Sequence, residues 1–306
     1  VRHRGVRFGL RSFDRSQVRT ILSFSLFAMV LNVGTLLAFR CDALVIGSWL
    51  EANAATEFDN GNKFFEPLTG LVIGIGAVVM PAATRMKAAG DTVQLGNVLM
   101  KWTKISLSLV MCVGVFLLVL GPEFLGVWIA PQFIGPSGRV LQILMASFLV
   151  YLPVRGVALP ILMGLGQPAR PAIALLVMGV INVVVSIALV GPLRIEGVAL
   201  GTALPNIAFS VYVAVIACRE IGVPFGKYAR YAVLKPLLGA LVPLAVALAW
   251  KYGTRVDTWG ELIAAGVTIT ATFAVVWIGF VLRHDPLISL PARLGGVSAR
   301  NDGASH

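Results

Sequence analysis

The chain has 306 residues, of which 58% are apolar and 13% are charged, and it carries a net charge of +11. Soluble domains carry about 25% charged residues, so this composition excludes an ordinary soluble globular protein. The apolar residues occur in runs of about 20 or more, the length that a helix needs to cross a bilayer. The sequence therefore predicts an all-α polytopic membrane protein.

Eight apolar segments are long enough to span a bilayer, and short stretches rich in Gly and Pro separate most of them. In chain order these predicted spans cover residues 20–48, 54–82, 98–120, 139–163, 169–192, 196–218, 231–251 and 260–282. Together they form a predicted transmembrane domain over residues 19–283. A basic segment precedes it at residues 1–18, and a tail that we expect to be disordered follows it at 284–306.

The basic residues orient these spans. Most of the 25 Lys and Arg residues fall in the N-terminal segment and in alternate loops, whereas the loops between these hold few. Cytoplasmic loops carry such an excess of basic residues, so both termini are predicted to be cytoplasmic. The same rule explains the net charge without nucleic acid, for which no groove pattern of basic and aromatic residues is present.

Five charged residues lie where the first two spans approach the side opposite the N-terminus. They are Arg40, Asp42, Asp59, Lys63 and Glu66. A helix rises about 1.5 Å per residue, so these residues lie roughly 28 to 39 Å from the basic ends of their spans. The hydrocarbon core of a bilayer is about 30 Å thick, which places them near its outer boundary. Two interpretations stay open: the charges are solvated at helix ends around a DNG turn, or Asp59, Lys63 and Glu66 form a helical stripe that faces a water-filled cavity.

Three polar residues lie midway along successive spans, namely Arg155, Asn182 and Asn206. An Asn in a membrane helix commonly joins neighbouring helices through hydrogen bonds. An Arg at the bilayer centre costs several kcal/mol, so it must face a cavity or an ion-pair partner. Pro153 and Pro205 lie beside Arg155 and Asn206, and broken helices around midplane polar groups are typical of transporter binding sites.

The sequence contains no pattern that is typical of a catalytic site. It lacks a nucleophile motif, a phosphate-binding loop and metal-ligand spacing. We therefore expect neither an enzyme nor a metal site.

Several short motifs then occur in a recognisable order. They are the D-x-x-x-I-G element at 42–47, the PAATR stretch with its following GD at 81–91, the GLGQPARP turn at 164–171, the helix residue Asn182 and the IEGVALGTAL stretch at 195–204. In this order they resemble the second half of polysaccharide and lipid-linked oligosaccharide flippases, which belong to the multidrug/oligosaccharidyl-lipid/polysaccharide exporter superfamily. The resemblance covers about residues 18–282.

The resemblance implies a fold of two six-helix lobes with an optional final helix pair. The eight spans here would be helices 7–14, the stretch from Asp59 to Glu66 would be helical, and the first lobe would be absent from the chain. A partial sequence, a split gene, and association with a partner or a second copy all stay open as explanations. The implied location is the bacterial inner membrane.

The resemblance implies that the protein moves a polyprenyl-diphosphate-linked oligosaccharide across the membrane by alternating access, with no cofactor. The expected substrate-binding residues are Arg155, Arg40, Lys63, Asn182 and Asn206. The expected charge-balancing residues are Asp42, Asp59 and Glu66, one of which would carry a coupling proton or sodium ion. The alternatives are a cation-coupled drug or metabolite antiporter, which would favour a buried midplane acid that the sequence does not show, and a non-transporting scaffold bound to polysaccharide assembly proteins.

Overall fold

A computed structural model describes residues 15–283 and 285–288, and this part of the chain is almost entirely helical with no strand. The helices in chain order are α1 Arg15–Phe39, α2 Cys41–Trp49, α3 Ala52–Asn62, α4 Phe65–Ala88, α5 Thr92–Trp128, α6 Pro136–Pro153, α7 Leu159–Gly164, α8 Ala169–Ile221, α9 Phe225–Tyr228, α10 Lys235–Gly253 and α11 Trp259–Val276. Three π-helical turns extend them, at Val154–Ala158, Ala229–Leu234 and Trp277–Val281. Residues 1–14 of the expected N-terminal segment lie outside the described residues.

Helix α8 is a hairpin of two antiparallel arms. A straight helix of its 53 residues would be about 80 Å long. Instead, Arg170 near its start donates a hydrogen bond to Glu220 near its end, at 2.7 Å. The chain reverses at Arg194, which has a φ of 51° and a ψ of −131°. The first arm is therefore 169–193 and the second arm is 195–221.

Seven helical segments of the described chain are long and apolar enough to cross a membrane, and one of them is this hairpin. Because the two arms of the hairpin run in opposite directions, the described bundle has eight membrane-spanning segments. The predicted all-α membrane fold with about eight spans is thus confirmed.

A short turn interrupts each of the first two spans. In the first, α1 ends at Phe39 and α2 begins at Cys41, so Arg40 lies in a turn between two helices. In the second, α3 ends at Asn62 and α4 begins at Phe65. Most of the stretch from Asp59 to Glu66 is therefore helical, and the turn lies at Lys63 and Phe64 rather than at the DNG sequence.

The core lies around α5 and α6. More than half of the residues in these two spans are buried, whereas about a third or fewer are buried in the others. One apolar cluster joins α4, α5, α6 and both arms of α8. A second cluster joins the opposite face of α5 to α10 and α11, where Leu107, Met111 and Ile269 are buried. Helix α5 therefore connects the main body of the bundle to the final helix pair.

The first residues after the last span are ordered, in contrast to the expected disordered tail. Asp285 and Lys104 of α5 form an ion pair in which both side chains are fully buried. Tyr231 donates a hydrogen bond to the other carboxylate oxygen at 2.5 Å, and Lys104 also donates to the carbonyl of Val281 at 2.8 Å. A buried acid and a buried base require such pairing, which is why the chain is held here. The remainder of the expected tail, from residue 289, lies outside the described residues.

Candidate functional site

A buried polar cluster lies where α1, α2 and both arms of α8 meet. It consists of Asp42, Asn182, Ser186 and Thr202, and it is called the Asp42 cluster below. Thr202 donates a hydrogen bond to Oδ2 of Asp42 at 2.9 Å. Asn182 donates to the Thr202 hydroxyl at 2.9 Å and to the carbonyl of Ala38 at 2.8 Å, and Ser186 donates to the side-chain oxygen of Asn182 at 3.2 Å.

Asp42 is incompletely satisfied within this cluster. Its exposure is 3%, and its Oδ1 atom has no hydrogen-bond donor among the described residues. No basic side chain of the described residues pairs with it. A buried carboxylate without a counter-charge is costly, and a bound proton or cation would remove this cost.

The atoms around Asp42 suit a small hard cation or a proton. They are oxygens of one carboxylate, two hydroxyls and an amide, together with the nearby carbonyls of Ala38 and Val198. Hard cations prefer oxygen ligands of this kind. Among the described residues, no group of three His, Cys, Asp or Glu side chains lies close enough together to hold a metal ion.

Small residues bring the helices close enough to form the cluster. Gly34 of α1 lies against the backbone of Leu175, where a methyl group would come within 2.9 Å. A methyl group on Gly201 would come within 2.8 Å of the backbone nitrogen of Ser186. Gly197 and Gly201 thus allow the two arms of α8 to pack closely. Gly70 and Gly74 of α4 have the same spacing, but a methyl group on either would meet no atom within 4 Å.

The structure brings together two predicted site residues, Asp42 and Asn182. Asp42 contacts Thr202, which contacts Asn182 midway along the first arm of α8. The cluster therefore contains a buried acid close to a residue predicted at the membrane midplane, although residue counting along the first span placed Asp42 near the outer boundary.

The other predicted charges lie on an exposed surface, defined here as the charged face: Arg40, Asp59, Lys63 and Glu66. Arg40 and Glu66 form an ion pair at 3.1 Å, with side chains that are 72% and 77% exposed. Lys63 donates to the side chain of Asn60 at 3.1 Å and lies 5.5 Å from the ring centre of Trp128. Of the expected stripe, Asp59 and Glu66 are thus helical, whereas Lys63 lies in the turn between α3 and α4.

Arg155 and Asn206 are not joined to the Asp42 cluster by hydrogen bonds. Arg155 is half-buried in the π-helical turn that follows Pro153, and no partner for it is found among the described residues. π-Helical turns of this kind occur frequently at functional sites. Asn206 is fully buried, and both polar atoms of its side chain are unpaired within the described chain.

Sequence reasoning missed Thr202, Ser186 and the Lys104–Asp285 pair. A signal for the first two exists, since Ser186 follows Asn182 by four residues and Thr202 precedes Asn206 by four, which places each hydroxyl on the same helix face as an Asn. Burial disfavours the carboxylate of Asp285, but hydrogen bonds from Lys104 and Tyr231 outweigh it and hold its pKa below the usual range. Asp285 is therefore ionised at neutral pH.

The family model described as lipid II flippase MurJ matches residues 1–268. The chain belongs to the MurJ flippase family. This membership confirms the exporter superfamily that the sequence motifs indicated, and the family is one of membrane flippases.

Other known proteins resemble this MurJ-family chain. The uncharacterized membrane protein EpsK of Bacillus subtilis is 26% identical over 280 residues, which cover 88% of this chain and 53% of EpsK. A structure of the lipid II flippase MurJ in an inward closed conformation matches with a TM-score of 0.62 and 15% identity, covering 83% of this chain and 52% of that one. A MOP superfamily transporter from Pyrococcus furiosus matches with a TM-score of 0.55 and 17% identity, covering 85% and 64%.

The two structural matches show the shared fold. The chain spans about half the length of EpsK and of the MurJ structure. The activity of the whole transporter is therefore a matter for proposal.

Proposed function

We propose that this chain supplies one lobe of a flippase that moves a polyprenyl-diphosphate-linked oligosaccharide from the cytoplasmic to the outer leaflet of a bacterial inner membrane by alternating access. The observation that carries the proposal is membership of the MurJ family over most of the chain. Arg40 and Glu66 of the charged face are 72% and 77% exposed, as expected of a surface that lines a water-filled cavity between two lobes.

In this proposal, positive charges bind the diphosphate and any acidic sugars. Arg40 and Lys63 of the charged face are exposed, and Arg155 is half-buried without a partner in the described chain. Guanidinium and ammonium groups are the usual partners of phosphate oxygens. Asp59 and Glu66 limit the net charge of the same surface, so the product is released after translocation.

The Asp42 cluster holds the coupling cation, either a proton or a sodium ion. Asp42 has a free carboxylate oxygen in a buried site that is otherwise rich in neutral oxygens. We assign Asn182 to this cation group rather than to the substrate cavity, because it is fully buried and its amide nitrogen binds Ala38 and Thr202. Cation binding between α2 and α8 would favour one arrangement of these helices, which is how a cation gradient drives alternating access.

The test is made in a strain that lacks the gene, with undecaprenyl-linked glycans measured by mass spectrometry of extracted lipids. Accumulation of one completed repeat unit is the expected result, and it identifies the substrate. Expression of the wild-type protein, or of the control Arg139→Ala, whose arginine pairs with Glu196, should return the accumulated glycan-lipid to its normal level. Lys63→Ala and Arg155→Ala at equal membrane abundance should leave it accumulated. A normal level with Arg155→Ala would remove that residue from the proposal.

A cation-coupled antiporter for drugs or metabolites is the second candidate, and the burial of Asp42 supports it. Such an antiporter was expected to contain a buried midplane acid, and Asp42 is a buried acid that contacts Thr202, as does Asn182, the predicted midplane residue. An unchanged glycan-lipid pool in the deletion strain, together with altered drug sensitivity, would select this function over the flippase.

The transport path requires a second lobe. A longer form of this chain, an assembly protein or a second copy would supply it, and each would cover the charged face. Native mass spectrometry of the complex from the producing cell distinguishes these sources. Co-isolation with polysaccharide assembly enzymes, combined with an unchanged lipid pool, would instead support a scaffold.

A further inference from the structure

Two cavities meet at the beginning of the final helix pair. A pocket of about 830 Å³ lies between α5, the π-helical turn Ala229–Leu234 and Pro286. An apolar groove of about 530 Å³ runs beside it between α5, α6, the second arm of α8 and the same π-helical turn. Both are lined by Gly226, Arg230 and Leu234, so the two cavities adjoin each other, and together they are called the depression below.

The pocket is basic. Lys227, Tyr231 and Lys235 follow one another at intervals of four residues on one side of the helix, and Arg230 lies beside them. None of its three cations has an acidic partner among the described residues. The neighbouring Asp285 is already bound by Lys104 and Tyr231. The pocket therefore contains three positive charges without a counter-charge in the described chain, and it is suited to bind an anion.

The groove is apolar along nearly its whole wall. Leu107 and Met111 of α5 face Leu149 of α6 and Val211 of α8 across it. An isolated inorganic anion would fill the pocket and leave this wall exposed. An occupant that covers both cavities needs a negatively charged head and a long apolar chain.

We infer that this depression binds an anionic phospholipid of the membrane, with its phosphate at Lys227, Arg230 and Lys235 and an acyl chain in the groove. Basic pockets between membrane helices hold anionic headgroups in this way. The charge pattern of the loops places the pocket at the cytoplasmic side, where such headgroups lie. The site is separate from the charged face and from the Asp42 cluster, so it does not depend on the transported substrate.

The experiment is a lipid titration of the purified full chain in detergent, followed by native mass spectrometry. Phosphatidylglycerol should bind in preference to phosphatidylcholine of the same chain length, and a short-chain phosphatidylglycerol should bind more weakly than the long-chain form. The triple variant Lys227→Gln, Arg230→Gln, Lys235→Gln should lose about a hundredfold in affinity for phosphatidylglycerol.

The matched control is the triple variant Arg85→Gln, Lys101→Gln, Arg219→Gln, which removes the same charge from the same predicted side of the membrane but outside both cavities. It should keep wild-type affinity. An equal loss in both variants would show a general surface-charge effect and would overturn the site. Equal binding of phosphatidylcholine, or displacement of phosphatidylglycerol by millimolar phosphate or by stoichiometric undecaprenyl diphosphate, would also overturn it. Size-exclusion profiles that match the wild type establish that both triple variants are folded.

Discussion

Asp42 combines burial with an unsatisfied oxygen. Its Oδ2 atom accepts from Thr202, while Oδ1 has no donor in the described chain. A neutral hydrogen-bonded core would not need such an atom, because an unsatisfied buried acceptor costs about 1 to 3 kcal/mol. A bound proton or cation removes this cost, and this is the reason for proposing Asp42 as the site of the coupling ion.

Replacing Asp42 tests this link directly. A cation that binds only the folded protein raises its thermal stability, so sodium should raise the melting temperature of the wild type and not that of Asp42→Asn. The exposed Asp59→Asn is the control and should respond like the wild type. If the ion is a proton, sodium has no effect and the pH dependence of melting differs between wild type and Asp42→Asn. Identical sodium and pH responses in both proteins would contradict the assignment.

The Lys104–Asp285 pair acts at the same scale but in a structural role. Both side chains are fully buried. Lys104→Met should lower stability by about 3 to 5 kcal/mol because it leaves a buried carboxylate without its cation. The double variant Lys104→Met, Asp285→Leu should recover most of this loss. Thermal unfolding in detergent measures both.

The control for this prediction is Arg170→Met, which removes the exposed partner of Glu220. Surface pairs contribute about 0 to 1 kcal/mol, so this variant should melt close to the wild type. A Lys104→Met protein as stable as the wild type would show that the pair does not hold the final helix pair in place.

Among the elements, the α8 hairpin decides the geometry of the site. Its reversal at Arg194 brings Asn182 of the first arm against Thr202 of the second. The arms approach closely because Gly197 and Gly201 present no side chain to the first arm. The same spacing at Gly70 and Gly74 serves no contact in the described structure, so the motif alone does not identify a packing face.

The two glycine pairs therefore make a matched test. Gly201→Ala should destabilise the protein by about 1 to 3 kcal/mol, because the new methyl group overlaps the backbone of Ser186. Gly74→Ala should be neutral or stabilising by up to about 1 kcal/mol, since it meets open space in a helix. Melting temperatures in detergent provide the comparison, and equal effects of the two changes would contradict the packing argument.

At the scale of the whole molecule, burial is unevenly distributed. The spans of α5 and α6 are enclosed, whereas every other span of the described chain is about a third buried or less. The charged face belongs to the less buried group, at the junctions of α1 with α2 and of α3 with α4.

The orientation of the bundle is a prediction of its charge pattern. In a variant without Cys41, Cys112 and Cys218, a membrane-impermeant maleimide should label Thr254→Cys in intact cells. Ala89→Cys lies in a loop at the predicted cytoplasmic side and should be labelled only after lysis. Labelling in the reverse order would invert the proposed topology and would move the basic pocket to the outer leaflet.

The sequence by itself determined the class of the protein, the number of spans and the family. These properties depend on local quantities, namely the length of apolar runs, the distribution of Lys and Arg, and short motifs in a fixed order. Asp42 and Asn182 were both identified as site residues for the same reason, since a polar residue in an apolar run is visible without any contact.

Only the tertiary structure decided which polar residues act together. Asp42 and Thr202 are 160 residues apart, and Lys104 and Asp285 are 181 residues apart, so no local pattern predicts their contacts. Which side chains meet depends on how the helices bend and cross, and packing between distant segments sets this.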